Sequence, residues 1–438
     1  MKILFRLALG ASALSLTGCP ITGGAKYTVG GTVTGLSGSG LVLQLNGGDS
    51  LSFNGSANFG FGTRLDNSAA YSVTVMTQPS NPAENCAVRN GSGTINKTSV
   101  TNIIVSCTQM GRFAYVANRL SNSISGFAID PDIGALTPLS GSPFTSNGTT
   151  PTALTVDPNG QFLYVANSGS NSVSVYSISA TGALTAVGAP IAAGTGPGAV
   201  TVDPTDHFLY VANLTSNTVS AFVISGSSLT PIVDSPFGTG AEPSSLAVDP
   251  NGNFLYATNF NGNSVCVFLI DPASGMLSAI SGSPFASGAG PASIAIDPTD
   301  AFAFVANNSD QTIASYELNA TTGGLTPISG SPLSAGTNAE ALLVDPTGSY
   351  VFAANAQSAN QVATYAITPA TGVLTLSSAA AAGSLPIAVA IDPSGHFLYA
   401  VNFNSNNVSA YTLSAGTLTA VAGSPFAVGV QPHSIAID

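Results

Sequence analysis

Charged residues are scarce in this 438-residue chain. Asp, Glu, Lys and Arg together make up 6% of it, where soluble domains ordinarily carry about 25%. The chain has no Trp, four Cys and eight Lys+Arg, the last of them Arg119. Each shortage excludes something. Bundles of amphipathic helices need charged outer faces, so that fold class is excluded. Partnership with nucleic acid needs Lys and Arg against phosphate, and is excluded too. Hydrophobic residues nevertheless reach 44%, enough to bury a large core, which excludes a disordered chain.

The few charges are unevenly placed. Residues 20–110 hold four basic and three acidic residues, whereas residues 111–438 hold seventeen acidic residues against two arginines, Arg112 and Arg119, a net charge of −15. Such a split marks separate bodies along one chain.

The start of the chain reads as a targeting segment. Lys2 and Arg6 precede an apolar stretch, 7–16, that is too short to span a bilayer as a helix. The sequence Leu16-Thr17-Gly18-Cys19 then resembles a bacterial lipobox. Residues 1–19 are therefore expected to be a lipoprotein signal peptide. Lipidated Cys19 would be the mature N-terminus, attached to a membrane by its lipid alone. A cell-envelope lipoprotein is expected, at the outer membrane since Pro20 rather than Asp follows the cysteine, with its side of that membrane left open. Cys86 and Cys107 are expected to pair in an oxidising compartment, and Cys266 to fill space in a strand.

Residues 25–108 alternate short β-branched and aromatic runs, such as 27–33, 41–45, 71–76 and 103–106, with Gly, Ser and Asn turns. A small all-β, sandwich-like module is expected, serving as a spacer.

Residues 111–438 are one unit repeated. Asn closes an apolar run at Asn118, Asn167, Asn213, Asn259, Asn307, Asn355 and Asn402, and Asp recurs at Asp157, Asp203, Asp249, Asp297, Asp345, Asp392 and Asp438. A period in the forties with several short strands per unit indicates propeller blades. In one unit, 152–156 reads as a first strand, Asp157-Pro158-Asn159-Gly160 as a type I turn, and 162–167 and 172–178 as second and third strands. Residues 184–185 form a short outer strand, and a connection through Pro190 leads onward. The apolar stretch 376–391 is likewise read as a connection followed by a first strand. The run beginning at Phe113 has no first strand before it, and 434–438 has no second strand after it. The C-terminal strand is therefore expected to complete the N-terminal blade, giving six continuous blades and one composite blade, seven in all, with only short protected edges.

The runs Phe208-Leu209-Tyr210-Val211-Ala212-Asn213 and Phe254-Leu255-Tyr256-Ala257-Thr258-Asn259 resemble the YVTN propeller repeat. With the Ile-Ala-Ile-Asp-Pro and Val-Ser-x-Tyr patterns, 111–438 is similar to the seven-bladed lactonase family, which includes 6-phosphogluconolactonases and carboxymuconate-lactonising enzymes. The resemblance implies an all-β seven-bladed propeller and, on one face, His, Glu and Arg that bind an acidic lactone and activate water. Pro432-His433-Ser434-Ile435 matches the family's Pro-His pattern, so His433 is the residue carried over.

Topology places Arg119, Glu242 and Glu340 on the same face as His433. These four are the candidate catalytic residues, with a Glu orienting His433 as general base and Arg119 holding a carboxylate. His207 and His396 fall in turns of the opposite face, and the repeated Asn residues are expected to bond their own loops. No phosphate loop, zinc spacing or nucleophile elbow occurs, so neither cofactor nor metal is expected. Two functions stay open. One is a monomeric binding or surface-scaffold module for a protein, a glycan or a small neutral ligand. The other is a lactonase, a carboxylic-ester hydrolase using His433. The acidic ring argues against an acidic substrate.

Overall fold

A computed structural model describes residues 25–36, 38–79, 84–109, 113–335, 338–356 and 360–438. The lipobox, with Cys19, and Arg112 lie outside the described residues, and no helix occurs among the described ones. The chain divides into two compact units, Met1–Thr108 and Gln109–Asp438.

The first unit is built on two four-stranded sheets. One runs Ala57–Gly60, Val29–Thr34, Val100–Gln109, Glu84–Arg89, and the other Asp49–Phe53, Leu41–Leu45, Ala70–Thr77, Ser92–Thr94. Along Leu41–Leu45 the three Leu side chains are buried and the residues between them half-buried, the alternation of a strand with one face on a core. Those leucines join Val29, Val33, Ile103 and Val105 of the other sheet in a single core. Val29–Thr34 lies parallel to Val100–Gln109, and at Gly31 any Cβ would meet the Ile103 carbonyl oxygen at 1.8 Å. Cys86 and Cys107, on neighbouring strands, form a disulfide.

The second unit is a seven-bladed propeller. Its central strands explain the low charge. Phe208–Asn213 and Phe254–Asn259 are buried at every residue, because each blade's second strand pairs on both edges within its sheet and is covered on both faces by neighbouring blades. A continuous apolar run bounded by turns is the sequence form of such a strand. First strands touch in order around the ring, and Pro432–Ile437 touches both Pro151–Val156 and Pro386–Ile391.

The ring closes by strand exchange between the ends of the unit. Pro432–Ile437 pairs antiparallel with Phe113–Asn118. The Phe113 amide donates to Asp438 Oδ1 at 2.7 Å, and the Asp438 amide donates to the Phe113 carbonyl at 3.1 Å. Six continuous blades show the same device inside a single Asp-Pro turn. There Oδ1 of Asp157, for example, accepts from the Gln161 and Phe162 amides at 2.7 and 2.6 Å. Where Ser or Thr stands two residues after this Asp, its hydroxyl bonds Oδ2, as Thr205 does to Asp203. Asn stands there in two blades, and Oδ2 of Asp157 and of Asp249 is left without a hydrogen-bond partner. Burial pushes both carboxyl pKa values up.

Each strand-ending Asn is fully buried. In six blades its Nδ2 donates to the third strand of its own blade, as Asn167 Nδ2 does to Ser174 Oγ at 2.9 Å and Asn402 Nδ2 to Ser409 Oγ at 2.9 Å. Cys266 occupies that serine position and accepts from Asn259 Nδ2 at 3.3 Å. Asn259 Oδ1 also accepts the amide of Gly240, in a connection, at 3.0 Å. Asn355 Nδ2 and Oδ1 have no hydrogen-bond partner among the described residues. Tyrosines tie blade to blade. Tyr399 Oη donates to the Gly134 carbonyl at 2.9 Å across the seam into the composite blade.

The outer edge differs from the expectation. Six blades carry an additional two-residue strand on the third strand, such as Phe285–Ala286 on Ser264–Ile270. In five of them a Ser-Pro turn, preceded by Gly in four and by Asp234 in one and with its Ser-Pro bond cis, interrupts the outer edge, since Pro has no amide for the ladder. The serine fills the gap: Ser283 Oγ accepts the Val267 amide at 2.9 Å, and Ser142, Ser235, Ser331 and Ser424 repeat this. The remaining blade of the seven has neither this additional strand nor a proline there, and its outer strand, Leu374–Ala381, runs unbroken along Gln361–Ile367 with one register shift. The segment read as a connection is therefore largely strand.

Two stability predictions follow from these contacts. Ser283→Ala strands the buried Val267 amide and lowers propeller stability by about 1–3 kcal/mol, measured by denaturant unfolding. Ser283→Thr keeps the acceptor and recovers most of the loss. Reducing the Cys86–Cys107 disulfide, whose partners lie 21 residues apart, lowers the stability of the first unit by about 3 kcal/mol and leaves the propeller transition in place, as two-transition calorimetry with and without reductant would show.

Candidate functional site

Every first strand of the propeller carries a β-bulge at its second residue. Pro151 pairs with Asn167 and Ala153 with Ala166, leaving Thr152 unpaired, and the same slip recurs in all seven blades. The unpaired residues are Thr152, Gly198, Ser244, Ala292, Glu340, Ile387 and His433. A bulge bends its strand and re-aims the extra side chain. All seven line one cavity of about 890 Å³. The residue after the strand-ending Asn contributes a second circle, with Arg119, Ser168, Leu214, Phe260 and Phe403 also lining it. Asn308 and Ala356, at the equivalent places, are buried beside it.

Of the four candidate residues, His433, Arg119 and Glu340 line this cavity, and Glu242 is not among its lining residues. Glu242 sits in the connection ahead of the bulge, at φ +57°, a left-handed position also occupied by Gly196, Gly290, Leu385 and Gln431. Its amide donates to Asn217 Oδ1 at 2.8 Å and its carbonyl accepts the Phe260 amide at 2.8 Å, so its backbone serves the entry to a blade. Asn122, Asn171, Asn263, Asn360 and Asn406 hold the connections into other blades in the same way.

His433 is oriented by a backbone carbonyl and not by a carboxylate. Its Nδ1 lies 2.8 Å from the carbonyl oxygen of Thr152, in the next blade. That oxygen only accepts, so Nδ1 carries the proton and Nε2 the lone pair. The ring of Phe403 packs edge-on against the imidazole, with centroids 6.1 Å apart. Burial depresses the imidazole pKa, Arg119 adds repulsion, and the bond to Thr152 opposes both. Arg119, an exposed side chain, stands at the cavity. Burial raises the Glu340 carboxyl pKa, against the influence of the Asn308 side chain. An imidazole that gives up its proton more readily than usual, an arginine and a carboxyl group that holds its proton more tightly than usual thus share one cavity.

His207 and His396 lie exposed in Asp-Pro turns, bonded through Nδ1 to Thr205 at 2.8 Å and Ser394 at 2.9 Å. Among the described residues, metal-ligand geometry occurs at Glu84, Cys86 and Cys107, where the disulfide occupies both sulfurs. Sequence reasoning missed Phe260, Leu214 and Phe403. Aligning the residue after each strand-ending Asn would have found them.

The sequence matches the family described as "Lactonase, 7-bladed beta-propeller" in four overlapping stretches, 74–189, 109–236, 227–337 and 330–430. No curated protein sequence matches the chain. Among similar solved structures are a provisional 6-phosphogluconolactonase of Bacteroides uniformis and a periplasmic gluconolactonase of Pseudomonas aeruginosa. The first has TM-score 0.66 and 21% identity over 74% of this chain and 99% of that one. The second has TM-score 0.64 and 20% identity over 74% and 98%. A Kuenenia stuttgartiensis structure named hydrazine synthase also matches, with TM-score 0.55 and 20% identity over 69% and 92%. Likeness at this identity is one of fold, and a fold hosts many chemistries. The family match spans well over half of the sequence, and the chain belongs to the lactonase family of seven-bladed β-propellers.

Proposed function

We propose that the propeller hydrolyses a lactone in the cavity that holds His433. The observation that carries this reading is the placement of His433 on the closing strand's bulge, with its Nδ1 proton held by the Thr152 carbonyl and Arg119 and Glu340 on the same cavity. In this reading Nε2 takes a proton from a water molecule that attacks the lactone carbonyl carbon. The ring C–O bond then breaks, and the proton on Nε2 passes to the departing alkoxide. One water is consumed and one hydroxy acid is formed. Arg119 offers charge-assisted hydrogen bonds to the carbonyl oxygen and to the carboxylate product. Glu340, with its raised pKa, keeps a donor proton closer to neutral pH than an ordinary carboxyl group.

The sign of the pH dependence follows. The active base is neutral imidazole, and its pKa lies below the ordinary 6.5. The kcat/KM for lactone hydrolysis is expected to fall on acidification only below pH 6.5 and to be flat from there to neutrality. His433→Ala is expected to lower kcat/KM by about 10²–10⁴-fold with the unfolding midpoint retained. Unaltered activity in that variant would overturn the role of His433. Lactones that bind without turnover would instead leave the propeller a ligand-binding module, the reading favoured by the scarcity of ionisable groups on the cavity.

The lipobox at Cys19 and the Cys86–Cys107 disulfide support an envelope location with a lipid anchor. Mature protein is expected to begin at acylated Cys19, and Cys19→Ser to release it from membranes, both read by mass spectrometry of the membrane and soluble fractions.

A further inference from the structure

The cavity has two unlike walls. First strands follow one another around the ring in chain order, so the blades that carry Leu214 and Phe260 stand two and three places from the composite blade of His433 and Arg119, across the channel. Both apolar side chains line the cavity, as do Leu246, Ile294 and Leu342 further along the first strands. The polar groups of the wall are largely committed to joining blades. Thr152 Oγ1 donates to the Pro197 carbonyl at 2.7 Å and Ser244 Oγ to the Pro291 carbonyl at 2.7 Å, both in the next blade, while Ser168 Oγ donates within its own blade to the Thr150 carbonyl at 3.2 Å. Ser293 and Ser434 accept the Leu342 and Leu154 amides of the adjoining blades at 3.0 and 3.3 Å. A polyhydroxylated ring would lose its water and find few free partners here, a costly exchange. Among the described residues Arg119 is the one Lys or Arg that lines the cavity, in a unit whose Asp and Glu far outnumber its Arg, which repels phosphorylated or otherwise multiply anionic ligands.

We propose that the substrate is an uncharged lactone with an apolar substituent, its ring at the His433–Arg119 wall and its substituent against Phe260 and Leu214. This inference rests on the lactone-opening reading and names the substrate class for the same cavity. The two are separable because chain-length recognition is read by binding as well as by turnover.

The test is a series of δ-lactones with unbranched alkyl substituents of increasing length, compared with glucono-δ-lactone, using the full chain. Turnover is followed by pH-stat, and binding by calorimetry with the His433→Ala variant. The expected result is a rise in kcat/KM and in affinity of about fourfold per added methylene until the cavity is filled, with glucono-δ-lactone at the low end. Phe260→Ser and Leu214→Ser are expected to flatten that dependence. The wild-type series decides the matter even if a variant fails to fold. A flat series, or a preference for glucono-δ-lactone, overturns the substrate class and leaves hydrolysis at His433 standing. Binding that tightens with chain length without any turnover upholds the ligand class and overturns the hydrolysis. Neither binding nor turnover overturns both.

Discussion

The pairing of the two ends of the propeller is the constraint on which the rest depends. Until Pro432–Ile437 lies beside Phe113–Asn118, the composite blade lacks its inner strand, and both neighbouring blades expose apolar faces. The exchange between Phe113 and Asp438 repeats across the chain ends what every other blade does within one turn, so the closing blade is built like the rest. The same event sets His433 beside the Thr152 carbonyl and brings Arg119 to the same cavity. Stability and the candidate site are thus two consequences of one contact.

A chain so poor in charge still buries many polar groups, and nearly all are placed by repetition. Asp in each Asp-Pro turn receives backbone amides, Asn at six of the seven second-strand ends donates to a third-strand hydroxyl or thiol, and tyrosine hydroxyls reach carbonyls of adjoining blades. Buried polar groups destabilise only when unpaired, so a repeated, hydrogen-bonded polar set substitutes for the surface ion pairs that most domains display. Among the described residues one salt bridge occurs, Lys26 to Asp66 in the first unit. Ser, Thr, Asn and Gly loops then suffice for the surface.

The same economy shapes the cavity. Seven equivalent bulges present seven residues, and five of them are small, aliphatic or hydroxyl-bearing. The cavity's ionisable groups are concentrated in Glu340 and His433 and in Arg119 on the second circle. Repetition supplies a cradle from every blade, and departures from the repeat supply its ionisable groups. Glu242, also a departure, stays outside because it falls two residues ahead of the bulge, where the chain must turn left-handed.

The sequence by itself determined the blade number, the composite closure and the disulfide partners, because these follow from periodic strands, an unpaired strand at each end and two cysteines in one small module. It also marked His433, Arg119 and Glu340 as irregularities of a regular pattern. What only the tertiary structure decided was the direction in which those irregularities point. A bulge is a slip in hydrogen-bond register between two strands, and residue types do not show it. The partner of His433 is a backbone carbonyl from another blade, which carries no side-chain signature, so a carboxylate was expected in its place. The unbroken strand Leu374–Ala381 was hidden for a related reason. A strand at the outer edge is held by its ladder on one side, and serine and alanine show pairing only when the partner strand is in position.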